Sequence, residues 1–93
     1  MKYQLIFREE IRLEIASAYN WYQIQRPGLG DEFLEELENA FTLLESKPKY
    51  FGFTNKTQRR IILKKFPYKI IYEIFDNQIV IFTVRHSKQK GKL

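Results

Sequence analysis

Three short runs, "RRIILKKF", "YKIIYEIF" and "QIVIFTVR", follow one another almost without pause in the C-terminal half of the chain. Each mixes β-branched and aromatic residues with polar ones, the composition of a pleated, half-buried surface. Pro67 stands in the first link, where a missing amide donor does little harm. Asp76-Asn77 forms the second, and this pair tolerates the positive φ that a tight hairpin demands. Links this short join antiparallel neighbours, since a parallel crossover needs a dozen or more residues. A three-stranded antiparallel meander is therefore expected.

Upstream the periodicity changes twice. "KYQLIF" alternates, so residues 2–7 read as a strand. From Glu9, the residues Ile11, Ile15, Ala18 and Tyr22 recur at spacings of three and four, with Tyr19 widening the stripe, which predicts an amphipathic helix over Glu9–Gln25. Glu9 and Glu10 fall in its first turn, where the helix dipole favours negative charge. "QRPGLGDEF" interrupts the pattern at Pro27 and Gly28, and Asp31 is the expected cap of a second helix running to Ser46. That helix turns Phe33, Leu34, Leu37, Phe41 and Leu44 inward and crowds Glu32, Glu35, Glu36 and Glu38 at its start and outer face. Trp21 and Tyr22 are expected to pack in the core or the helical hairpin. "SKPKYFGFTNKTQ" reads as a loop of functional length. The expected fold class is α+β: an N-terminal strand, an antiparallel helical hairpin, then the meander, all strands forming one twisted sheet with the hairpin on one face.

Ninety-three residues suit a single domain, 1–93, and 44% hydrophobic with 16% aromatic residues provides a core without metal or disulfide support. With no cysteine and one histidine, neither a disulfide nor a zinc site is expected, and no cofactor is called for. No apolar stretch matches a signal core or a membrane span, so a cytoplasmic address and no membrane partner are expected. Charge is unevenly placed. Residues 1–46 hold four Lys/Arg against nine Asp/Glu, and residues 47–93 hold twelve against two. Such asymmetry points to one surface that faces a polyanion or an acidic protein.

The cations suited to a phosphate backbone are Arg59, Arg60, Lys64, Lys65, Arg85 and Lys88, with Tyr50, Phe51 and Phe53 in the loop available to stack on bases. Metal-independent cleavage would also need proton transfer. His86 is the one side chain that supplies it near neutral pH without a large shift. Simple alternation on the last strand puts Ile79, Ile81, Thr83 and Arg85 on one face and Val80, Phe82, Val84 and His86 on the other, so Arg85 and His86 diverge unless the strand bulges between them. On the first strand of the meander, alternation groups Arg60, Ile62 and Lys64 against Arg59, Ile61, Leu63 and Lys65. A lone histidine at a strand end is more often a packing residue than a catalyst, and an acidic helix face is more often simply solvated.

"WYQIQRPGLGDEFLEELENAF", the loop with "KPKYF", the run "RRIILKKFPYKIIYEI" and the terminal "TVRH" together resemble, in order and over nearly the whole chain, the RelE/ParE superfamily of bacterial type II toxin–antitoxin modules. The resemblance implies a small sheet on a helical hairpin, held inactive by a cognate antitoxin in a hetero-oligomer, with no cofactor. Two targets follow from it. The long hairpin looks like the ParE branch, which acts on DNA gyrase; RelE-like relatives are ribosome-dependent, metal-independent endoribonucleases that cut mRNA. Arg60, Lys64, Arg85 and His86 match positions where nuclease members carry functional groups. The tail "SKQKGKL" offers no tyrosine to match the C-terminal aromatic of many such nucleases, and it also lacks the ending common in the ParE branch. Gyrase interference is the leading expectation, RNA cleavage the alternative, and a non-toxic module partner a third.

Overall fold

A computed structural model describes residues 3–88. Its elements are β1 (Gln4–Phe7), α1 (Glu9–Gln25), α2 (Leu29–Ser46), β2 (Gln58–Ile62), β3 (Tyr68–Phe75) and β4 (Gln78–His86). The four strands form one sheet in the order β1-β4-β3-β2. The meander is antiparallel as expected, and β1 joins the far side of β4 in parallel, making the sheet mixed. The expected strand start at Lys2 lies outside the described residues.

Helix α1 has the bounds its periodicity predicts. Helix α2 starts two residues before Asp31, and its first turn is capped in an unexpected way. Gly28 takes a left-handed φ of 93°, which only glycine adopts freely, and the Gln23 side chain of α1 accepts hydrogen bonds from the Gly28 and Gly30 amides at 2.9 and 2.7 Å. Asp31 instead sits inside the first turn and accepts from the Tyr19 hydroxyl.

The helices cover one sheet face. Ile11, Ala18 and Tyr22 of α1 and Phe33, Leu37, Ala40 and Leu44 of α2 pack against Ile61, Ile70, Tyr72, Ile79, Ile81 and Val84. Tyr22, Phe33, Phe66 and Tyr68 form an aromatic cluster, tilted between Tyr22 and Phe33 and edge-on elsewhere, with centroids 4.9–6.1 Å apart. Burial of these large side chains is the main term holding the two layers together, at roughly 25 cal/mol per Å² of apolar surface. Trp21 departs from expectation: its indole is 57% exposed and leans edge-on against Tyr22 at the rim.

Two strand expectations are corrected. Strand β2 stops at Ile62, and Leu63 turns into the core while its amide donates to Tyr68 O. The amides of Lys64 and Lys65 donate to the Glu36 carboxylate of α2, so they leave the sheet. In β4 the register slips by one: Ile71 opposes Thr83, but Tyr72 opposes Ile81, leaving Phe82 as a bulge. Simple alternation thus fails after Ile81. Ile79, Ile81, Val84 and His86 share the helix-side face, and Thr83 with Arg85 faces away. Without the bulge the charged Arg85 would follow Ile81 into the core.

The β1 ladder reaches only to Phe7, opposite Ile81. Beyond it the edge of β4 is closed by a side chain: Glu14 of α1 accepts from the Val84 amide at 2.9 Å and from the Thr83 hydroxyl. Among the described residues no helix is long and apolar enough to cross a membrane, and no group of three His, Cys, Asp or Glu could hold a metal.

Candidate functional site: the open face of the sheet

Directly paired residues share a face, so the ladders define the surface that the helices leave uncovered. It has three rows, successive rows lying roughly 7 Å apart along the strands. Gln58, Glu73, Val80 and Ile6 form the first, Arg60, Ile71 and Thr83 the second, and Ile62, Lys69 and Arg85 the third. Ile71 is buried yet stands outside the helix-side core cluster, as befits a residue shielded by neighbours on the other face. Arg8 adds a guanidinium above the Phe82 ring, 5.3 Å from its centroid. The resulting surface has an apolar floor, three cations in neighbouring rows with Arg8 beside them, and one acid, Glu73.

The candidate cations fall in different places. Arg60 and Arg85 lie on the open face together. Lys69, absent from the sequence-based candidates, stands directly opposite Arg85; the signal was present, since alternation in "YKIIYEI" sets Lys69 off the face of Tyr68, Ile70 and Tyr72. Arg59 turns the other way, paired with Tyr72. Its guanidinium donates to Phe51 O at 2.6 Å and Lys49 O at 3.2 Å and stacks over the Phe53 ring at 4.0 Å, pinning the loop to the sheet. Lys64 and Lys65 belong to the turn beside α2. Lys88 is exposed, and its amide donates to His86 Nδ1 at 3.2 Å.

His86 itself projects to the helix side, opposite Tyr68, with ring centroids 5.5 Å apart. Arg85 and His86 therefore leave β4 in opposite directions. Of the loop aromatics, Tyr50 and Phe53 are exposed and Phe51 is half-buried. The Tyr72 phenol is fully buried and donates to Pro48 O at 2.7 Å; desolvation pushes it up to about 12, against a smaller lowering by Arg59.

This arrangement separates charge by layer. The acids of the N-terminal half sit mainly on the helices, and the cations of the C-terminal half lie on the sheet and its connections. The family model described as ParE toxin of type II toxin-antitoxin system, parDE, matches residues 5–91.

The chain belongs to the ParE toxin family.

Three solved structures share the fold. A chain from the chromosomal ParDE toxin–antitoxin system of P. aeruginosa superposes with a TM-score of 0.81 at 12% identity, covering 92% of this chain and 97% of that one. Isolated E. coli RelE gives 0.68 at 19% identity, with coverages of 96% and 88%. A double arginine-to-alanine mutant of E. coli RelE in the free state gives 0.71 at 18% identity, with coverages of 95% and 86%. No curated protein matches the chain in sequence. The ParE-family chain and RelE thus share an architecture across very different sequences.

Proposed function

We propose that this chain inhibits growth by binding DNA gyrase through the open sheet face, and that a cognate antitoxin neutralises it in a hetero-oligomeric complex in the cytoplasm. The observation that carries this is the divergence of Arg85 and His86. Cleaving a phosphodiester without metal requires a base, an acid and cations around one scissile bond. Here Arg60, Lys69 and Arg85 share the open face, whereas the one histidine of the chain lies across the sheet from them and Lys64 lies in a turn. Three cations over an apolar floor form a binding surface whose one acid is Glu73, with the histidine ring rooted on the other side of the sheet. The same surface suits an acidic antitoxin segment, which would shield it in the complex.

The deciding experiment adds purified chain, with and without its antitoxin, to gyrase supercoiling relaxed plasmid, and in parallel to a translating extract with labelled message. The expected result is loss of supercoiling that the antitoxin restores, with intact message. Ribosome-dependent message cleavage with unaffected gyrase would instead establish the RelE-like alternative.

A further inference from the structure

Where the end of β4 meets α1, two adjoining recesses of about 480 and 270 Å³ meet along Ser17, Ala18, Tyr68 and His86. The larger is walled by the exposed indole of Trp21, by Pro67 and by the edge-on Tyr68–His86 pair, with Tyr22 also in its lining. The smaller is bounded by Glu14, Thr83, Val84 and Arg85.

The polar groups here are mostly donors. Neither the Tyr22 nor the Tyr68 hydroxyl has a hydrogen-bond partner among the described residues, and both phenols are pushed up by burial, so they stay protonated. His86 Nδ1 accepts from the Lys88 amide, so the ring donates through Nε2. Arg85 Nε is buried without a partner among the described residues. The one carboxylate nearby, Glu14, is already engaged by Thr83 and Val84.

We propose that this joint recess binds a nucleotide unit, its base against Trp21 and the Tyr68–His86 pair and its phosphate toward Arg85. The fit is chemical. A planar base bears carbonyl and ring-nitrogen acceptors for donor-rich walls, stacks on exposed aromatics, and carries an anion for a guanidinium. Arg85, at the strand edge that β1 leaves uncovered, lies on the rim between this recess and the open face. The unit can be a free nucleoside phosphate or one residue of a single strand.

Trp21 is the only tryptophan, so its fluorescence reports on the recess alone. The test titrates the full chain with AMP, with single-stranded oligoadenylate and with N-acetylphenylalanine amide, following Trp21 emission. Saturable quenching by AMP or by the oligonucleotide is expected, and whichever binds more tightly identifies the source of the nucleotide. His86→Ala and Tyr68→Phe should each weaken it at least fivefold, with far-UV circular dichroism confirming that both variants are folded. Gyrase need not be present, so this result is independent of the proposed target. The assignment is overturned if neither nucleotide quenches, if the folded variants quench like the parent chain, or if only the phenylalanine amide does so.

Discussion

Lys69 stands directly across the β3–β4 ladder from Arg85, both on the face that the helices leave open. Like charges at directly opposed positions destabilise a sheet, by a few tenths to about 1 kcal/mol. A pair that works against the fold is a reason to look for its value in binding. Lys69→Glu should therefore leave the thermal midpoint unchanged or raise it by a few degrees, while reducing gyrase inhibition at least tenfold. Thermal unfolding and a supercoiling assay on the same preparation check both halves; full inhibition by this variant would remove the open face from the proposed function.

Arg59 is expected to act on stability rather than on a target. Arg59→Ala removes two hydrogen bonds to loop carbonyls and the stacking on Phe53, and should cost about 1–3 kcal/mol. Arg59→Lys should recover only part of it, because an ammonium cannot present the planar fork. Urea denaturation gives the energies, and amide exchange should show faster opening between Lys47 and Thr57.

Gly30 lies where the two helices meet. A β-carbon added there would stand 2.7 Å from both Tyr19 O and Gln23 Cγ, and the first of these is backbone. Gly30→Ala should then force the hairpin apart and disturb the Gln23 cap, costing about 1–3 kcal/mol by chemical denaturation.

Stability should fall in alkali. The folded protein holds the Tyr72 phenol at about 12, above its ordinary value of 10.0, so between those values the folded state binds more protons than the unfolded one. The stabilisation is complete below pH 10 and is lost as pH rises through 12. Tyr22 and Tyr68 shift the same way through burial. Tyr72→Phe should flatten this alkaline decline. At neutral pH it should cost about 1–3 kcal/mol, because Pro48 O loses its donor. Denaturation midpoints at pH 8 and pH 11, compared between parent and variant, measure both effects.

What the sequence by itself determined is what depends on near neighbours. Apolar residues every three to four positions locate α1, and two short links compel an antiparallel meander, because both follow from local backbone geometry. Tertiary structure decided everything that requires knowing which partner lies opposite. The Phe82 bulge exists only relative to β3, yet it sets which side of the sheet receives Val84, Arg85 and His86. The cap of α2 comes from Gln23 on the other helix, and Arg59 is claimed by carbonyls of a loop without periodicity. Lys64 and Lys65 leave the sheet because a carboxylate on α2 takes their amides. A side chain's type can be read along the chain; the direction in which a strand delivers it depends on pairing between residues far apart in sequence.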